Sequence, residues 1–328
     1  MKTGLVLGKF LPLHLGHFAL IEFAKNHCDK LIVLICSIGT ETIPGEIREQ
    51  WLKDTFQTND DIDVIHLRYD EKMFPNTSVS SKQVSKLWDD YLAKEFPGVN
   101  IFFSSEQYGE YVAEFLGIEY KIFDKARKII PISGTAIMKN AFANWQFIAD
   151  AAKAWFVKKV CIVGSESTGK STQTEKLADY FETTLVPEMA REIIEKTNDV
   201  VYENLLEIAT LHAKTINEKL RQANKLLICD TDVNITKSYS KYLFDKELQV
   251  PQWIDETNRF DLYIFLETDC PYVQDGTRIA EQERIKLSEF HKEQFRKAGI
   301  RLNIVSGNWE GRFEKSVELT QSTFGIKK

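Results

Sequence analysis

Apolar and polar positions along this chain follow two periods in turn, and the switch between them recurs from one end to the other. Short β-branched apolar runs at Gly4–Gly8, Lys30–Ser37, Ile62–Leu67, Asn100–Ser104 and Tyr120–Phe123 predict strands. Between them the apolar residues recur at helical spacing, which predicts helices over Leu15–Asn26, Glu46–Gln57, Ser80–Phe96 and Gly109–Leu116. The second half repeats the pattern. Strands are expected at Lys159–Val163, Leu185–Val186, Leu226–Asp230, Leu262–Leu266 and Arg301–Val305, and helices over Gln173–Phe181, Pro187–Lys196, Tyr202–Asn224 and Val233–Tyr242. Strands alternating with helices define an α/β protein with two doubly wound parallel sheets. Residues 141–155 read as apolar and helical, a packed junction rather than a flexible tether, so the expected domains are 1–153 and 154–328. In such sheets ligands bind beyond the carboxyl ends of the strands, where strand order reverses.

Composition narrows the picture. A length of 328 residues with 43% hydrophobic content supports two cores. The net charge of −6 argues against a general nucleic-acid binder. Five cysteines form no C-x-x-C pair and read as reduced core thiols of a cytoplasmic protein. No apolar run approaches the ~20 residues of a membrane span, and the first strand begins too early for a signal peptide to precede it. Composition leaves a homo-oligomer open.

The most specific chemistry follows the strand at Lys159–Val163. Gly164, Gly169, Lys170 and Ser171 stand at phosphate-loop spacing between a strand and a helix. The glycines let backbone N–H groups converge on an anion, with Ser167, Thr168 and Thr172 completing the cradle. Lys170 then reaches the β- and γ-phosphates of ATP, and Ser171 offers a hydroxyl to Mg²⁺. Asp230, at the end of a later apolar strand, is the expected Mg²⁺ carboxylate. Asp232 accepts a proton from an attacking hydroxyl, caps the next helix, or does both, since a cap does not exclude a ligand. Glu188 and Arg191 either sit over the phosphoryl acceptor or form a solvated pair. Arg278 is a lid arginine for the γ-phosphate or an ordinary loop arginine. His212 reads as surface or half-buried. Ser306–Trp309 is expected beside the adenine.

In the first half, Gly8, Lys9 and Phe10 open a loop that ends in His14 and His17, three apart at a helix start. Two imidazoles there suit a phosphate oxygen that gains charge, with zinc as the lesser alternative. Arg48 and Trp51 share a helix face, either binding phosphate and stacking on a cationic ring or serving as a surface arginine and a core tryptophan. Ser104 and Tyr108 close a strand at the ligand edge. Ser133 and Thr135 open a short helix whose hydroxyls and free amides suit a triphosphate.

His14-Leu15-Gly16-His17 and Ile132-Ser133-Gly134-Thr135-Ala136-Ile137 resemble the two signatures of the nucleotidyltransferase superfamily, with Met138 where that family has Arg. The order of GSESTGKS, PEMARE, CDTD and DGTR resembles a ribosylnicotinamide kinase. Together, over essentially the whole chain, they resemble NadR-type proteins. That resemblance implies a first domain that adenylylates nicotinamide mononucleotide (NMN) with ATP to give NAD. It implies a second that phosphorylates nicotinamide riboside with ATP and Mg²⁺, with Tyr239 or Tyr242 as the nicotinamide platform. The DNA-binding domain that some NadR-type proteins carry is not expected before Gly4.

Three rivals remain at this stage. One is a kinase whose first domain binds nucleotide without reacting, because of Met138. Another is a phosphopantetheine adenylyltransferase fused to a dephospho-coenzyme A kinase. The third is a nucleotide sensor without turnover. Offering riboside, NMN and dephospho-coenzyme A separately as ATP acceptors discriminates among them.

Overall fold

Strands in a sheet covered on both faces must be apolar on both faces, and the inner strands of this chain are, while the edge strands at 62–68 and 119–122 carry polar residues. The computed structural model describes residues 1–70, 82–190, 193, 201–270 and 281–326, apart from the side chains of 82–87 and 89. They fall into two units, Met1–Trp155 and Phe156–Lys328.

In the first unit β1 (Thr3–Gly8), β2 (Lys30–Ser37), β3 (Ile62–Arg68), β4 (Ile101–Ser104) and β5 (Glu119–Ile122) form a parallel sheet in the order β3-β2-β1-β4-β5. Leu5, Val6, Leu31, Leu34, Ile101, Phe102 and Phe103 are fully buried within it. The helices are α1 (Leu15–Lys25), α2 (Gly45–Phe56), α3 (Lys82–Glu95), α4 (Tyr108–Leu116) and α5 (Gly134–Lys139). The chain leaves β1 toward β2 on one side and returns to β4 on the other, so strand order reverses at β1.

Residues 141–155 are not one helix. A 3₁₀ turn, Trp145–Phe147, precedes an extended Ile148 that bridges to His14, and Ala149 N–H donates to the Leu13 carbonyl at 3.3 Å. Only then does α6 (Asp150–Phe156) begin. Trp145, Ile148, Ala149 and Ala152 of this stretch are buried, and its backbone pins the β1–α1 loop instead of coiling throughout.

In the second unit β6 (Lys158–Gly164), β7 (Leu185–Val186), β8 (Leu226–Asp230), β9 (Leu262–Leu266) and β10 (Asn303–Val305) are parallel in the order β10-β9-β6-β8-β7. Its helices are α7 (Lys170–Tyr180), α8 (Tyr202–Leu220), α9 (Val233–Phe244), α10 (Gln252–Thr257), α11 (Glu281–Lys297) and α12 (Trp309–Phe324). The short α10, entered through Pro251, was not anticipated. Strand order reverses at β6, which carries the phosphate loop. All five cysteines are free, four of them buried. Among the described residues no helix is long and apolar enough to cross a membrane.

Candidate active sites

The first site lies beyond β1. His14 caps α1: its Nδ1 accepts from His17 N–H at 3.3 Å, which leaves the ring proton on Nε2 as a donor. The two imidazoles stack with centroids 3.7 Å apart at 18°. Phe10, buried and in the left-handed region at φ 49°, meets His17 edge-on at 4.9 Å. Burial, then the nearby charge of Arg127, brings the His14 pKa down to about 4. Burial and the charges of His14 and Arg127 hold His17 well below its ordinary value. Both rings are therefore neutral donors at pH 7, not cations. Among the described residues no group of three or more His, Cys, Asp or Glu could hold a metal ion, so the lesser zinc reading finds no support there.

A second loop meets the first. A Cβ on Gly134 would lie 2.3 Å from the Leu11 carbonyl oxygen, so only glycine lets the start of α5 come this close. Ser133 spends its hydroxyl as the α5 cap, accepting from Ala136 N–H at 3.2 Å, while Thr135 and Met138 face solvent. Just before it, the Asp124 carboxylate accepts from the N–H groups of Lys128, Ile129 and Ile130 at 2.7–3.1 Å. That knot presents Arg127, half-exposed and 3.5 Å from Glu106. Arg127 is a cation the sequence did not single out. Its clue was Asp124, a turn-former three residues ahead of it.

The side chains of four residues expected at this site turn inward. Arg48 is fully buried, not presented to a ligand: its guanidinium donates to the Lys9 and Pro44 carbonyls and lies 3.5 Å from Glu41. It therefore holds the β1–α1 loop, including Lys9, from beneath. Trp51 is buried edge-on against Trp155, 6.2 Å away, which is the core alternative given for it. Ser104 closes a local turn with Glu106, and Tyr108 donates its hydroxyl to the Leu7 carbonyl at 2.7 Å. Both act as supports at the ligand edge. Gly8 ends β1, and the Phe10 ring packs against it.

The second site lies beyond β6. Gly164 (φ 152°), Ser167 (φ 57°) and Gly169 (φ 83°) turn the backbone through conformations that L side chains rarely adopt. The Trp309 ring presses on the Cα of Gly169, where any Cβ would collide with it. Thr168 Oγ1 and Lys170 Nζ both donate to the Ser165 carbonyl, at 2.8 and 3.0 Å. Ser171 Oγ donates to Asp230 Oδ2 at 2.6 Å, joining the head of α7 to the end of β8. Thr172 is exposed.

Asp232 takes the capping role expected of it. It is buried and caps α9: Oδ1 accepts from Asn234 and Ile235 N–H, and Oδ2 accepts from the Asn234 amide and the Tyr263 hydroxyl. Burial pushes its pKa up to about 6. Both oxygens are engaged, so the capping half of the expectation is seen directly. His212 is buried rather than at the surface, its pKa lowered to about 4 by burial. Glu188 is half-buried, and its charge reaches both His212 and Tyr239. Tyr239 donates to Glu166 at 3.4 Å, and Tyr242 to Glu283 at 2.9 Å. Arg191 and Arg278 lie outside the described residues.

A histidine pair at one strand-order reversal and a phosphate loop at another define a fused pair of nucleotide-handling α/β domains. Residues 159–312 match the family described as AAA domain. The trifunctional NAD biosynthesis/regulator protein NadR of Escherichia coli (strain K12) is 31% identical over 98% of this chain and 83% of its own length. This chain belongs to the NadR family. Its fold matches a crystal structure of NadR protein in complex with NAD and AMP-PNP, at TM-score 0.79 and 22% identity, covering 100% of this chain and 97% of that one. It also matches NadR protein in complex with NR, at TM-score 0.77 and 22% identity, covering 99% and 97%.

Proposed function

We propose that this chain is a bifunctional enzyme of NAD biosynthesis, acting in the cytoplasm. Its second unit phosphorylates nicotinamide riboside, and its first joins the resulting NMN to the adenylyl group of a second ATP. The observation that carries this reading is the presence, in one chain, of two differently built phosphate sites. One is a neutral imidazole pair. The other is a phosphate loop joined to a buried carboxylate. The solved NadR structures with NR and with NAD and AMP-PNP supply ligands that suit these two sites.

In the second unit, Lys170 and the loop N–H groups hold the β- and γ-phosphates. The Ser171 hydroxyl and Asp230 carboxylate are hard oxygen donors that fit Mg²⁺, which when bound neutralises charge on the β- and γ-oxygens. Glu188 takes the proton from the riboside 5′-hydroxyl as it attacks the γ-phosphorus, since Asp232 is committed to its cap. The O–P bond to the riboside forms as the bond to ADP breaks. Cytosolic magnesium and an acceptor-bound state are the conditions under which this geometry works.

In the first unit, an NMN phosphate oxygen attacks the α-phosphorus of ATP and pyrophosphate leaves. His14 and His17 donate to the phosphate oxygens as charge builds there. Two neutral rings leave the polyanion unbalanced, and Arg127 supplies the fixed positive charge that Met138 cannot. The test is to give Mg·ATP with riboside alone and with NMN alone, and to identify products by mass. NMN plus ADP from the first and NAD plus pyrophosphate from the second are expected. Binding without turnover of either acceptor would overturn the reading.

A further inference from the structure

Arg284 and Arg312 are among the largest fully buried side chains of the protein, and both converge on the phosphate loop from helices far away in sequence. Arg284, from α11, donates to the Ser167 carbonyl at 3.4 Å and to the Thr268 and Cys270 carbonyls at 2.6 and 3.4 Å. Its own carbonyl accepts from Ser165 Oγ at 3.1 Å. Arg312, from α12, donates to the Thr168 carbonyl at 3.2 Å, to the Gly307 and Glu267 carbonyls at 2.7 and 2.9 Å, and to Asp269. Its carbonyl accepts from the Gln173 side chain at 3.2 Å.

A phosphate loop works only if its N–H groups face the anion. In a trans peptide the carbonyl of one residue and the N–H of the next point in opposite directions. Holding the carbonyls of Ser167 and Thr168 toward the two guanidiniums therefore turns the N–H groups of Thr168 and Gly169 the other way. Ser167 stays at φ 57°, and that orientation needs external restraint. Lysine would not serve as well, because only a planar fork reaches several carbonyls at once.

We infer that Arg284 and Arg312 are positioning residues for ATP in the kinase site: buried braces that set the polarity of the phosphate loop and couple it to the segment after β9. This rests on the kinase reading above only for its choice of acceptor.

The test replaces each arginine by methionine and by lysine in the full chain. The KM for ATP in riboside phosphorylation should rise about tenfold or more in the methionine variants. The KM for riboside should stay within about twofold, and NAD formation from NMN, measured on the same preparation, should not change. Arg284→Lys and Arg312→Lys keep the charge but lose the fork. They should melt cooperatively and still bind ATP several-fold more weakly than the parent. Titration with AMP-PNP should show two sites in the parent and one of them weakened in the variants, whatever the acceptor proves to be. Folded variants with the parent's ATP affinity would overturn the proposal. So would lysine variants that retain the full ATP-induced shift in melting temperature.

Discussion

The two phosphate sites solve one electrostatic problem in opposite ways. The loop after β6 is cationic, with Lys170 donating to the Ser165 carbonyl and two buried arginines behind the Ser167 and Thr168 carbonyls. The loop after β1 holds two imidazoles kept neutral by burial, and its nearby guanidinium stands half-exposed on a separate loop. One site is built to hold standing charge, the other to meet charge as it develops. The lesson is that a shared α/β frame fixes where phosphate chemistry occurs, while side-chain burial decides which kind.

The sharpest way to break this contrast is to disable one site and read both. Lys170→Ala should lower riboside phosphorylation by about 10³-fold, and His17→Ala should lower NAD formation by about 10²-fold, each leaving the other rate at the parent value. Steady-state kinetics of both steps on one preparation checks this. If either variant lost both activities equally, the sites would not be independent.

Acid probes the buried histidines of both units. A histidine whose folded pKa is depressed stabilises the fold fully above about pH 6.5 and loses that contribution as pH falls. For His14 and His212, both near 4, the loss approaches about 3 kcal/mol each by pH 4. Asp232, raised to about 6, works in the opposite sense and is relieved as pH falls. The melting temperature should therefore drop between pH 6.5 and 4, less steeply than the histidines alone would give. A flat profile would contradict the burial argument.

The role of Arg127 gives a smaller effect. Arg127→Ala should slow NAD formation about tenfold, and adding Met138→Arg should recover much of it by supplying a guanidinium from α5. An unchanged rate in the single variant would remove Arg127 from the site. Smallest of all, Asp232→Asn should leave riboside phosphorylation within about threefold, since asparagine caps a helix as well as aspartate. Asp230→Asn should not be tolerated. A collapse in the Asp232 variant would restore it as the proton acceptor.

What the chain disclosed before folding follows from distance along it. The phosphate loop is contiguous, so Gly164 to Ser171 was readable from spacing, as were the strands, whose continuous apolar runs show burial on both faces. Helical spacing put Arg48 and Trp51 on one face but carried no information on depth, and both proved buried. Asp232 offered a cap and a base in the same letters, and its hydrogen bonds show the cap. Arg284 and Arg312 reach the phosphate loop from helices remote in sequence, so no local pattern marks them, while the turn that presents Arg127 was signalled locally only by Asp124.

The claim that the two sites act independently in sequence is tested most directly by complementation. Purified His17→Ala and Lys170→Ala chains, each given riboside and Mg·ATP, should make NAD alone only about 10²- to 10³-fold more slowly than the parent. Mixed, they should make it faster, because NMN released by the first is taken up by the second. NAD at the parent's rate from either variant alone, or no gain in rate on mixing, would contradict the account.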